Sequence, residues 1–189
     1  MVSLTSLWLP ILLAAIAVFV ASSVIHMALK YHNSEFWQLP DEASILDRMR
    51  TAGVVPGFYS FPWAGSMKEY GSPEMLKKCE DGPIGTLNVV PSGPSAMGKA
   101  LILWLIYSVV IGVFAAYLAG RTLPAGAHYL QVFRIVGCSS FMAYSFAHLS
   151  DAIWKQKPFS MCLKHVFDGL VYALLTAGVF GWLWPPNLP

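Results

Sequence analysis

Residues 91–120 read PSGPSAMGKALILWLIYSVVIGVFAAYLAG, and two folds compete for them. The first third fits G-x-x-x-x-G-K through Gly93, Gly98 and Lys99, the phosphate loop of nucleotide-binding domains, with TLNVV (86–90) ahead of it as the strand. A working phosphate loop needs Ser or Thr after the lysine to bind Mg²⁺, and that position is Ala100. It also needs a parallel sheet, and the segment upstream is too short and too rich in Pro and Gly to build one. The remaining residues, 100–120, carry no charge and are long enough to cross a bilayer core of about 30 Å. We therefore read the stretch as the entry to a membrane helix. Pro91, Gly93, Pro94 and Gly98 make turns, Ser95 caps a short lead-in turn, and Lys99 snorkels at the interface. No nucleotide is expected as a partner.

Composition agrees. Of 189 residues 56% are hydrophobic and only 12% charged, more apolar surface than a soluble chain of this size can hide. The net charge of +2 gives no support for nucleic acid. Cys79, Cys138 and Cys162 form no C-x-x-C pair and no disulfide framework. Four apolar segments stand out, at about 6–29, 100–120, 132–150 and 166–184. The expected fold is an all-α membrane protein, a single polytopic domain of four transmembrane helices. The third span is the most polar, with Arg134 near its start. The first has no basic residue ahead of it and is expected to be a retained span.

Four spans put the termini and the 120–131 loop on one side. The long 30–99 loop and the 151–165 loop lie on the other. Lys30, Lys99, Lys155, Lys157 and Lys164 flank the helices on the second side, against Arg121 and Arg134 on the first. The positive-inside rule then places the long loop in the cytoplasm and both termini outside. Within that loop, LPDEASILDRMRTAG (39–53) reads as a short amphipathic helix, with acids in its first turn, Arg48 and Arg50 in its last and Gly53 as C-cap. A second helical stretch is expected from Ser72 (N-cap) and Pro73 to Glu80, ended by Asp81-Gly82. PGFYSFPW and PIGTLNVVPSGP read as ordered irregular structure with one small hairpin.

Small residues recur every fourth position: Ser108, Gly112, Ala116 and Gly120 in the second span, Ser139, Ala143 and Ala147 in the third, and Gly169, Ala173, Ala177 and Gly181 in the fourth. Such stripes let helix backbones approach closely. Packing within the chain is the plain reading. The fourth-span stripe, the longest, is the one to assign to a partner membrane subunit if any is.

Topology also gathers chemistry. The first span ends with His26, followed by His32; the third ends with His148 and Asp151; the fourth begins with His165 and Asp168. All lie at loop-side ends, whereas His128 is on the opposite side. Paired histidines at matched depth suit a haem iron. A set of His and Asp, with Cys162 nearby, suits a transition metal. Asp168 shares a helix face with Tyr172 and Thr176, the pattern of a proton path. The plainer account pairs Asp168 with Lys164 or His165 in the first turn of its helix, where the dipole favours a carboxylate. Ser22 stands one turn before His26, but no nucleophile-and-base arrangement with an orienting acid is legible, and no hydrolase is read.

Taken together, SSVIHMALKYH, LPDE, PSGPSAMGKALILW and FDGLVYALLTAGVFGWLWP resemble a set of small bacterial integral membrane proteins without an assigned activity. The resemblance implies a bacterial inner membrane and carries over no functional residue. The expected role is structural or accessory, as a subunit of a membrane complex. The alternatives are a haem- or metal-binding redox protein and a small proton-coupled transporter.

Overall fold

The structure is a computed structural model that describes residues 1–94 and 97–187. The Ser95 cap expected from sequence lies outside the described residues. The chain is mostly helical and divides into two compact units, Met1–Phe36 with Ala96–Pro189, and Trp37–Ser95. The long loop thus folds as a body of its own, and the single domain expected from sequence resolves into two.

The first unit is a helical bundle. Helix α1 (Trp8–Ser23) follows a 3₁₀ turn at Leu4–Leu7 and runs on into a π-helical turn, Val24–Ala28, then a second 3₁₀ turn, Tyr31–Glu35. The second unit supplies α2 (Glu42–Thr51), β1 (Gly57–Phe61), α3 (Met67–Tyr70), α4 (Pro73–Asp81) and β2 (Gly85–Val89). The bundle is completed by α5 (Met97–Thr122), α6 (Tyr129–Trp154) and α7 (Phe159–Trp182). Contacts run α1 to α5, α5 to α6, α6 to α7 and α7 back to α1, a closed ring in which α6 and α7 share the largest interface.

Three helical runs are long and apolar enough to cross a membrane: Leu4–Ala28, Met97–Thr122 and Phe159–Trp182. Their outward side chains, among them Ile102, Ile106 and Phe114 on α5, are exposed in a way that water does not favour and lipid does. The third segment expected to span, α6, is as long as α5 but falls short in apolarity among the described residues. Two of its serines face inward: Ser140 and Ser145 are fully buried.

The small-residue stripes of the second and fourth spans are used inside the chain, whereas Ala143 and Ala147 of the third are exposed. A Cβ on Gly112 would meet Ile11 at 3.3 Å, and one on Gly120 would meet the Val2 carbonyl at 2.8 Å. Gly169 lies against Ser145 and Tyr144, and Gly181 against the Tyr129 ring. Ala116, Ala173 and Ala177 are buried between helices. The fourth-span stripe is therefore covered by α6 of the same chain, and the surface expected for a partner subunit is not free there. At the termini end, Val2 N–H donates to the Gly120 carbonyl at 3.0 Å and Trp184 Nε1 to the Pro124 carbonyl at 2.9 Å. His128 caps α6 there in a reciprocal box with Gln131.

In the second unit, α2 ends in Gly53 at φ 68°, with N–H bonds from Gly53 to Arg50 and from Val54 to Met49 that complete a Schellman motif. Ser72 accepts from the Met75 N–H and Pro73 opens α4. The strands pair antiparallel, Gly57 opposite Val89 and Phe61 opposite Gly85, but α3 and α4 intervene, so the small hairpin expected is a two-stranded ribbon closed by helices. β2 therefore belongs to no parallel sheet. Gly98 and Lys99 lie in the first turn of α5, and the phosphate-loop pattern has no α/β context.

Close packing at Gly169 gives a direct expectation. Gly169→Leu forces side chain into Ser145 and should lower stability by about 1–3 kcal/mol, read as a lower Tm in detergent. Gly98→Ala meets nothing within 4 Å and should be neutral or stabilising by up to about 1 kcal/mol. Equal Tm values for the two variants would show that the α6–α7 interface is not the tight one described.

Candidate functional site

Three elements of the first unit bring chemistry to the loop-side end of the bundle. The π-helical turn after α1 presents His26; such turns are rare and recur at functional sites. The 3₁₀ turn contributes Tyr31, His32 and Glu35. Helix α7 contributes His165 and Asp168, and α6 adds His148 beside them.

Asp168 is 2% exposed and accepts from two groups: the Tyr31 hydroxyl on one oxygen and His32 Nε2, at 2.8 Å, on the other. The second nitrogen of His32 faces Glu35 Oε1. Glu35, with its side chain 3% exposed, reaches on through its other oxygen to His165 Nε2 at 3.2 Å. His165 Nδ1 lies 3.9 Å from Asp168, too far for a hydrogen bond. His26 Nδ1–H donates to the Ser22 carbonyl at 3.0 Å, which leaves its Nε2 lone pair free. The rings stack: His26 on His32 at 4.4 Å, His32 on His165 at 4.9 Å and His165 on His148 at 4.8 Å between centroids. One ligand atom from each of His26, His32, His165 and Asp168 lies within 4.8 Å of all the others.

Two sequence expectations need correcting. Helix α7 begins at Phe159, so Asp168 stands in its third turn. The dipole of the first turn is out of reach and cannot be what offsets the charge. Lys164 does not pair with Asp168 either; its ammonium donates to the Tyr31 carbonyl and Ser34 Oγ, each at 2.7 Å, and ties the 3₁₀ turn to α7. The buried carboxylates of Asp168 and Glu35 are therefore met by imidazoles and one phenol alone among the described residues.

The structure does not bring every candidate together. Asp151 turns away to Lys155 and Lys157, at 2.7 Å each, and these hydrogen bonds hold its carboxyl down at about 2. His148 stacks on His165 but stands outside the four-residue ligand set. Cys162 is buried and is not in that set. Sequence reading missed Glu35 and Tyr31. The signal was present as Y-H-x-x-E, which on a 3₁₀ turn puts His32 and Glu35 on one edge.

Beyond Asp168 the interior stays polar and aromatic. Trp104 Nε1 donates to Ser22 Oγ at 2.8 Å, and Tyr144 and Tyr172 pack edge-on 5.5 Å apart. The Tyr172 hydroxyl and Ser140 Oγ are buried without a partner among the described residues. Compared with known protein families, curated proteins and solved structures, the chain matches none.

Removing the hub tests this network. Asp168→Ala leaves the Tyr31 hydroxyl and His32 Nε2 without their acceptor and should cost about 1–3 kcal/mol for each group stranded. Asp151→Ala removes only a solvent-screened pair and should cost far less. Thermal unfolding in detergent reads the difference, and similar Tm losses for the two would contradict the central place given to Asp168.

Proposed function

We propose that the chain is an integral membrane protein of four spans that binds one first-row transition-metal ion at the loop-side end of its bundle. One observation carries the reading: three imidazoles and a carboxylate, from three separate elements, converge within 4.8 Å beside a second buried carboxylate. Two buried negative charges call for a cation. Either an imidazolium or a metal ion supplies it, and His32 can donate to both carboxylates at once only as the imidazolium.

The donor set suits a metal. Ligands about 2.1 Å from a tetrahedral ion stand about 3.4 Å apart, so the widest pair of the cluster, now within 4.8 Å, closes by about an ångström or more when an ion enters. Imidazole with carboxylate fits zinc, iron, manganese or copper rather than calcium or magnesium. The Ser22 carbonyl fixes the His26 tautomer as the outer partner of a metal-binding histidine does. Haem fits less well. His26 and His32 stack face to face, with planes 8° apart, and leave no slot for a porphyrin between them.

The fourth span is α6. Its length, its place between α5 and α7 and its inward serines support a membrane position. The lysine distribution supports a cytoplasmic long loop with both termini outside, and the sequence resemblance supports a bacterial inner membrane. A second reading makes the cluster a clasp. There, protonated histidines hold the 3₁₀ turn to α7 and the protein is an accessory subunit; that His32 already has a carboxylate on each nitrogen favours it.

Metal analysis of gently purified protein decides between them. About one ion per chain is expected, with affinity reduced at least tenfold in His26→Ala, which leaves the His32–Asp168 contact in place. No ion bound after reloading with zinc, iron(II), manganese(II) or copper(II) would leave only the clasp. For topology, Ala125→Cys and Gln156→Cys should label from opposite sides of sealed vesicles; labelling from the same side would remove α6 as a span.

A further inference from the structure

The unit Trp37–Ser95 has almost no interior. Among its described residues only Met75 is buried. Trp37 is 90% exposed, Met67 89%, Trp63 74%, Val90 66% and Phe58 62%. A free-standing domain of about 60 residues hides roughly 60% of its surface. Without that burial, nothing offsets the chain entropy of ordering α2, α4 and the β1–β2 pair. Yet the local structure is well specified, with a Schellman motif at Gly53, a serine cap at Ser72 and five paired positions in the ribbon. Such a unit needs an outside surface to cover its apolar side chains.

The tethers say which surface is at hand. The unit hangs between two membrane-crossing runs, one ending at Ala28 and one beginning at Met97. The leash from Ala28 to Trp37 is about nine residues, at most about 32 Å when extended, and the one back to Met97 is shorter. The bilayer is thus never out of reach. The exposed side chains are also of the kind that settles at headgroup level, where Trp and Tyr rings place an apolar body in lipid and a polar edge in water. Charge gives no alternative attraction: seven acidic residues outnumber five basic ones in the unit. Binding through anionic headgroups is disfavoured, and aromatic insertion has to carry the contact.

We propose that Trp37–Ser95 is an interfacial unit that docks on the bilayer holding the spans, with the rings of Trp37 and Trp63 seated at the boundary of headgroups and acyl chains. This stands independently of the metal reading. A two-stranded ribbon with short helices is marginal in water and becomes ordered where lipid covers one side. The contact is apolar and therefore insensitive to salt.

The test uses the full chain in phosphatidylcholine vesicles. With Cys79, Cys138 and Cys162 replaced by Ser, a nitroxide is placed at Trp63→Cys and, for comparison, at Glu80→Cys. The label at 63 should collide freely with oxygen, be shielded from a water-soluble nickel chelate and keep that profile in high salt. The label at 80 should be open to the chelate. Equal chelate access at both positions overturns the proposal. Shielding of position 63 from both reagents also overturns it, since it shows cover by protein, a second copy or another subunit. In case removal of the buried Cys162 disturbs the fold, the parent sequence is examined with brominated lipid. A Trp37→Phe, Trp63→Phe double variant should lose part of the quenched tryptophan emission, and an unchanged quenched fraction contradicts docking.

Discussion

His32 stands between two buried carboxylates, and the loop-side end of the bundle depends on that arrangement. The ring reaches Asp168 of α7 with one nitrogen and Glu35 of its own 3₁₀ turn with the other. Because Glu35 passes on to His165 and Asp168 takes the Tyr31 hydroxyl, the turn is fastened to α7 by several polar contacts at once. Lys164 adds a further tie through the Tyr31 carbonyl. None of these contacts is worth much beside water. In a partly dehydrated bundle end each is harder to replace, because a group left without its partner there keeps its full desolvation cost.

The two ends of the bundle solve packing differently. At the termini end the interior is mostly Ala, Val, Leu and Ile, closed by Phe180 and Trp184, and helices meet closely enough that the Val2 carbonyl touches Gly120. Closeness substitutes there for a hydrophobic drive, which lipid does not provide between helices. Toward the loop side the filling changes to Trp104, Tyr144 and Tyr172, wide rings whose polar tips need partners. Trp104 finds Ser22 on α1. The Tyr107 hydroxyl finds the Ala143 carbonyl on α6.

Much of this was legible in the sequence, for stated reasons. Uninterrupted apolar runs gave the three clearest spans, and Ser72, Pro73, Gly82 and Gly53 marked helix ends because caps act locally. The neighbourhood of His26, His32, His165 and Asp168 followed from the alternating direction of successive helices. What was hidden depended on geometry that hydropathy does not encode. Glu35 looked like one more polar residue at a loop start, since nothing in periodicity tells a 3₁₀ turn from coil. Asp151 looked like a further member of the cluster, but Lys155 one turn later and Lys157 beyond the helix end hold it. The ribbon was expected as a small hairpin and not as strands paired across α3 and α4, which lie between them.

The start of α7 has the widest consequence. Read from hydropathy, the helix opens near residue 166 and Asp168 sits at a dipole that welcomes it. The observed start at Phe159 adds about two turns ahead of residue 166. The dipole effect fades within the first turn, so the carboxylate loses the account that made it unremarkable. Lys164, the nearest ammonium in sequence, is engaged elsewhere. What remains to balance Asp168 and Glu35 is the stack of imidazoles, groups that serve equally as proton carriers and as metal ligands. A helix that ended its hydrophobic run at its own first turn would have needed neither. The functional interest of this bundle end therefore comes from the length of α7, which carries a charge past its cap and into a place where histidines and the Tyr31 hydroxyl face it.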